Sequence, residues 1–458
     1  MDGSTETRHP RAATDGAVHG RARRRVVLAA LCLGVLVAQV DTSVVNLAMQ
    51  PIGKTFHIRI EMLQWVLDAY NLVYAVLLLT GGLLADRYGR RRCFAAGAAI
   101  LALTSLACAM APGPATLIAG RAAAGAGAAL LLPASLAIIR VGWPDAVARR
   151  RVLGVWASCN GLAFVIGPGL GGVLIARFGW RSVFLLAVPL AAAALLLAAP
   201  IPASRDQSRR PLDGAGQMLG ALGLGALVFA AIADGGVSTH ALALVVALGA
   251  LAGFLVREAG QGEQALVPLR LFAAPGFAGA MAATGAMTFG IYGLIFLLPL
   301  AWLQSGFLSA REAGLALMPC ALAFFLISQA SAELSRLVGL RTLPAGGVAV
   351  IALALWIIAA TAAGRPLPLA ELGLVLGGIG MGLCTGPLMA VCVESAPPER
   401  SGTASSLFNL ARMVGATLGV AILGTIDGLG GAAGLRLAML AGGAVQLLGA
   451  AAAWRARR

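Results

Sequence analysis

Fourteen times along its length this chain runs through roughly twenty mostly apolar residues and then turns in a shorter segment that is polar or basic. That alternation constrains the fold more than any single motif does. A helix of roughly twenty residues crosses the ~30 Å hydrocarbon core of a bilayer, and a helix satisfies its own backbone polar groups there. Soluble domains carry roughly 25% charged residues, whereas this chain has 12% charged and 59% hydrophobic residues. The pattern predicts an all-α integral membrane protein with spans at 26–49, 63–84, 93–111, 115–140, 152–176, 182–200, 213–234, 238–257, 275–302, 312–333, 343–363, 368–393, 401–425 and 434–454. The first run is too long for a signal-peptide core and reads as an uncleaved span.

An even number of spans puts both ends on one side, and the arginines say which. The triplets 23–25 and 149–151, the cluster 87–92, the loop SRDQSRRPLD, Arg257, Arg336 with Arg341, Arg400 and the end 455–458 all fall on that side. The alternate loops carry little: Lys54 with Arg59, Arg177 with Arg181, Arg311, Arg365 and Arg436. Basic residues in short loops stay cytoplasmic, so both termini are expected inside a plasma (inner) membrane. The net charge of +15 points to lipid phosphate rather than nucleic acid, because the arginines flank apolar runs and crowd the termini. Seven scattered cysteines and four histidines form no metal or redox spacing. No cofactor is expected.

Residues 81–92, GGLLADRYGRRR, end the second run in one carboxylate, a glycine and four arginines. If the helix continues, Gly82, Asp86 and Gly89 share one face. The two glycines would then admit a neighbouring backbone. An acid at a helix C-terminus opposes the dipole, so Asp86 is expected to serve a partner element.

The sequence also repeats. Pro133 to Pro144 and Pro387 to Pro398 are equal steps, each followed by glycines spaced thirteen then four: Gly154, Gly167, Gly171 and Gly402, Gly415, Gly419. Spans 4–5 thus match spans 12–13. The expected domains are a disordered tail (1–25), a six-helix half (26–200), a loop (201–212), two inserted helices (213–257), a second loop (258–274), a second six-helix half (275–454) and a basic end (455–458). The counterpart of the 81–92 loop, SAELSRLVGLRTL, puts Ser335 at the aspartate position.

Charged and amide side chains inside apolar spans are functional candidates, since leaving them unsatisfied is costly. The first span holds Asp41 and Asn46, the second Asp68 and Asn71, the fourth Arg121 and the thirteenth Arg412. At ~1.5 Å per residue, Asp41, Asp68 and Arg121 all lie ~8–9 Å from the outer surface. Two acids and one base at one level can neutralise each other and leave one charge for a proton or a cation. Arg412, near mid-membrane, should face a cavity or a carboxylate. In the fifth span Gly161, Pro168 and Gly172 share one face and Gly167 with Gly171 another, suiting a helix that bends between two states or simply packs closely. Gly378, Gly382 and Gly386 read as a packing seam, and Trp65, Trp180 and Trp302 as interfacial anchors. Neither a phosphate loop nor a nucleophile–base arrangement argues for ATP use or hydrolysis.

The loop Gly-x-Leu-Ala-Asp-Arg-x-Gly-Arg-Arg resembles the signature between the second and third helices of the major facilitator superfamily. DTSVVNLAMQP, QWVLDAYNL, RAAAGAGAALLLP and GPGLGG resemble motifs of its fourteen-helix drug:proton antiporters. The resemblance implies two parallel-related six-helix halves with two inserted helices. It also implies proton transfer involving Arg121, a gating role for Gly82, Asp86, Arg87, Gly89, Arg90 and Arg91, and an antiporter helix in the fifth span. Ala124 stands where those proteins usually carry glutamine. The expected function is proton-driven export of amphipathic small molecules, cations included, by a monomer. The rivals are a proton-coupled nutrient importer, which GPGLGG argues against, and a receptor or scaffold, which has no use for co-planar buried charges.

Overall fold

The computed structural model describes residues 20–204, 213–233, 236–262, 265–361, 365–396, 401–429 and 433–455. Among them are fourteen α-helices. The first half comprises α1 (Arg21–Phe56), α2 (Ile60–Tyr88), α3 (Arg90–Ala109), α4 (Pro114–Gly142), α5 (Ala146–Phe178) and α6 (Arg181–Leu197). Next come α7 (Gly214–Ile232) and α8 (Val237–Gln261). The second half is α9 (Pro275–Gln304), α10 (Ala310–Val338), α11 (Thr342–Ala359), α12 (Leu367–Glu394), α13 (Ser401–Leu429) and α14 (Gly434–Arg455). Thirteen are long and apolar enough to span a membrane. The other, α6, has 17 residues, which at ~1.5 Å each gives ~26 Å, the short end of the spanning range. Large apolar side chains such as Leu103, Leu196, Val237, Leu244 and Leu448 are exposed. Such a belt is a liability in water and the expected surface in lipid.

Successive helices run antiparallel, so both ends of the described helical bundle lie at one face, the terminal face; the opposite one is the distal face. Helix starts follow local chemistry. Asp145 and Asp213 accept from backbone amides in the first turns of α5 and α7 at 2.7 and 2.9 Å, and Ser309 with Glu312 forms a capping box on α10. Asp213 also takes the Arg257 guanidinium of α8 at 2.7 Å. That bond, with help from Gly216 and Gln261, holds its carboxyl below the usual carboxylate range.

Several expectations need correction. Helix α1 starts at Arg21, so residues 21–25 belong to a helix; residues 1–19 lie outside the described ones. Helix α8 continues to Gln261, and a 3-10 turn, Leu269–Ala273, occupies part of the expected loop. Trp302 is fully buried and Trp180 nearly so, its indole donating to Thr55 at 3.0 Å. These two rings are core, not interfacial anchors. Gly89 has φ +105° and Gly339 φ +103°, and each breaks its helix in the same way. Aligning the two glycines puts Arg336 opposite Asp86, and Ser335 opposite Ala85.

The two halves meet along α2 with α13 and α5 with α10. At the distal side Gln64 donates to the Val420 and Ala421 carbonyls at 2.9 Å, and Gln50 to that of Leu303 at 3.3 Å. Glycines permit backbone contact there: a Cβ on Gly172 would sit 2.8 Å from the Ala310 oxygen, and one on Gly314 would overlap the Pro168 carbonyl. Toward the terminal side a Cβ on Gly154 would meet nothing within 4 Å. These contacts hold the halves together at the distal face, and nearer the terminal side Gln329 of α10 donates to Ser158 of α5 at 3.2 Å. Helix α7 lies over the α2–α13 seam. Its Gln217 bonds Val76 and Thr80 of α2, while its Ala231 carbonyl accepts from Thr425 of α13.

Candidate functional site

Arg121, 1% exposed, forms an ion pair with Asp41, 2% exposed. Its Nε donates to the Val66 carbonyl at 3.2 Å, and the guanidinium lies 4.6 Å from the centre of the Tyr70 ring. The Tyr70 hydroxyl in turn donates to Ala38 of α1 at 3.1 Å. Three helices thus hold one cation. The close α2–α4 approach that permits this comes from glycines: a Cβ on Gly125 would overlap the Tyr70 carbonyl, and one on Gly81 that of Ala129. Gly81, not Gly82, is the contact glycine of the loop motif, since a Cβ on Gly82 would sit an ordinary 3.7 Å from Pro133.

Asp68 is fully buried, two residues from the Val66 carbonyl that Arg121 engages, and neither carboxylate oxygen has a hydrogen-bond partner. One oxygen of Asp41 and the Asn71 side-chain carbonyl are also unpartnered. The structure thus pairs Asp41 with Arg121 and leaves Asp68 buried on α2 without a partner. Arg412 has no ion pair among the described residues; it donates to Asn409 at 3.3 Å, and its Nε is buried without a partner.

A cavity lies between the halves. It is lined by Gln39, Thr42, Ser43 and Asn46 of α1, Phe164 and Pro168 of α5, Tyr292 and Ile295 of α9, and Leu317, Cys320 and Ala321 of α10. The four α1 residues stand at i, i+3, i+4 and i+7, a single helical face. Asp41 points about 150° away from its centre, at 100° per residue. Of the residues singled out from sequence only Asn46 and Pro168 line this cavity. The polar stripe on α1 was visible in the spacing of Gln39, Thr42, Ser43 and Asn46. Phe164 and Tyr292, whose ring centres lie 6.5 Å apart, are ordinary aromatics in apolar spans and gave no signal.

Helix α5 presents two glycine faces, as its spacing suggests. Cβ atoms on Gly167 and Gly171 would strike Ser43 and Val44 of α1, while one on Gly161 would meet Phe325 of α10 at 2.9 Å. The equivalents Gly415 and Gly419 pack in the same way on Gly285 and Phe289 of α9, so the internal repeat is also a packing repeat. The seam Gly378, Gly382, Gly386 packs on α10, against Cys320, Ile327 and Ser331. At the loop motif the helix ends at Tyr88, so Gly82, Asp86 and Gly89 do not share a continuous helix. Instead Asp86 accepts from Arg90, the first residue of α3, at 2.8 and 3.1 Å. The Arg90 amide donates to the Ser204 carbonyl at 3.0 Å. Arg87, Arg91 and Arg92 are exposed at the terminal face.

A helical bundle of two repeated halves around a central cavity, with buried charges beside it, defines a membrane transporter. Residues 31–420 match the model of the Major Facilitator Superfamily, and the chain belongs to that superfamily as a multi-pass membrane protein. It is 31% identical over 439 residues to the methylenomycin A resistance protein of Streptomyces coelicolor, covering 94% of this chain and 92% of that one. The multidrug resistance protein Stp of Mycobacterium tuberculosis is 32% identical over 88% of this chain and 75% of its own. The cephamycin export protein CmcT of Amycolatopsis lactamdurans is 35% identical over 85% and 82%. Among solved structures, a D-xylose-proton symporter superposes with a TM-score of 0.70 at 15% identity, over 94% of this chain and 97% of that one. A bacterial homologue of the lysosomal transporter Spinster gives 0.68 at 20%, over 96% and 98%. At such identities the likeness concerns the fold.

Proposed function

We propose that this protein is a proton-driven antiporter that exports amphipathic small molecules across the plasma membrane, with both termini cytoplasmic and one chain as the working unit. The observation that carries the reading is the buried Asp41–Arg121 pair, whose acid stands on the helix that also walls the inter-half cavity. Relatives named for antibiotic resistance and export support the direction of transport. Asp41 is the coupling acid. In the distally clamped state its carboxylate is held by Arg121. Uptake of a proton removes that carboxylate charge, frees the guanidinium and loosens α1 from α4, biasing the halves toward the alternative state. The basic loops, collected on the terminal face, make that face cytoplasmic. On this assignment the cavity faces away from the clamped, external side and receives substrate from within.

The test is substrate-induced proton release in inside-out vesicles. Asp41→Asn should abolish it for every substrate, while Asp68→Asn should leave measurable exchange. Exchange retained in Asp41→Asn vesicles moves the coupling to another acid.

A further inference from the structure

We propose that the inter-half cavity seats an uncharged amphipathic molecule bearing a hydrogen-bond donor, and that cations are disfavoured there. The inference rests on the export reading and deepens it. None of the eleven lining residues is charged. Asp41 and Arg121 lie on the far side of α1, and Asp68 is not in the wall. A cation entering this space would shed water without meeting a counter-charge in the lining, whereas a neutral head keeps its hydrogen bonds. On the polar face of α1 the two hydroxyls and one amide N–H are committed within the protein. Thr42 Oγ1 donates to the Ala38 carbonyl at 3.0 Å, Ser43 Oγ is 3.1 Å from the carbonyls of Val40 and Ala163, and Asn46 Nδ2 donates to the Thr42 carbonyl at 3.1 Å. The side-chain oxygen of Asn46 remains as an acceptor, with no protein partner among the described residues. A ligand N–H or O–H fits it, and the Phe164, Ile295 and Leu317 wall takes the apolar body. Ligand and proton then act on opposite faces of one helix and do not compete for a shared carboxylate.

Two dyes test this: N-phenyl-1-naphthylamine, aromatic and neutral with one N–H, and ethidium, a planar cation. The purified protein should be thermally stabilised by the neutral dye and not by ethidium. Asn46→Leu should weaken the neutral dye about tenfold, the scale of one hydrogen bond to an acceptor otherwise left dry. Asn46→Asp adds the missing counter-charge and should bring ethidium in, a gain that misfolding does not produce. Ethidium stabilising the wild type as strongly as the neutral dye overturns the inference, as does a neutral-dye shift unchanged in both variants. Efflux from energised cells separates this from the export reading. Binding of the neutral dye without efflux leaves the seat standing and sinks export. Ethidium efflux by wild type without neutral-dye binding does the reverse.

Discussion

Arg121 is the residue on which the first half closes. Its guanidinium touches α1 through Asp41 and α2 through Val66 and Tyr70, so it ties three helices together. Removing one member of a buried pair strands the other charge, which typically costs about 3–5 kcal/mol. Arg121→Met should therefore lower the thermal midpoint of the purified protein sharply. Adding Asp41→Asn to that variant should recover most of the loss, because no charge is then left alone. A double variant no more stable than the single one would mean that Arg121 acts through packing on Tyr70 rather than through the ion pair. The pair itself was legible at sequence level, since two opposite charges were expected at one depth. The isolation of Asp68 was not. Depth along a helix follows from counting, but which partner a side chain meets depends on helix rotation, and Arg121 turns to α1.

Among the elements, the α2–α3 junction is where sequence and structure differ most instructively. An unbroken helix would align Gly82, Asp86 and Gly89; a left-handed glycine ends it instead, and Asp86 clasps Arg90 across the break. This clasp joins two helices of the same half, at the face opposite the distal clamp. As a half-buried pair at the protein surface it contributes modestly to stability. Asp86→Asn should nearly abolish transport while leaving ligand binding within a few-fold of wild type and the thermal midpoint almost unmoved. Transport at the wild-type rate would remove the loop from the gating machinery. Helix α7 was expected as an insertion between halves, but its position across the α2–α13 seam had no sequence signal, because Gln217 and Thr425 are unremarkable polar residues until their partners are known.

At the scale of the whole molecule the arginine pattern and the distal clamp bear on one another. If the terminal face is cytoplasmic, Gly236 between α7 and α8 lies outside and residue 207, which falls outside the described residues, lies inside. Cysteines placed singly at these positions in a background lacking native cysteines should react with an impermeant thiol reagent in intact cells at 236 alone. Labelling at 207 would invert the orientation, and with it the side to which the cavity opens.

The sequence by itself determined the number and order of the helices, the internal repeat and the two faces of α5, because each is written in local spacing: apolar runs near twenty residues, glycines thirteen and four apart, a 3.6-residue turn. It also placed Asp41, Asp68 and Arg121 at one depth, because the rise per residue is fixed. Tertiary structure alone decided how those charges pair, that Gly81 rather than Gly82 is the contact glycine, that Trp180 and Trp302 are buried, and that the cavity wall carries no charge. All of these depend on how helices rotate and cross, and that is set by contacts between residues far apart in the chain.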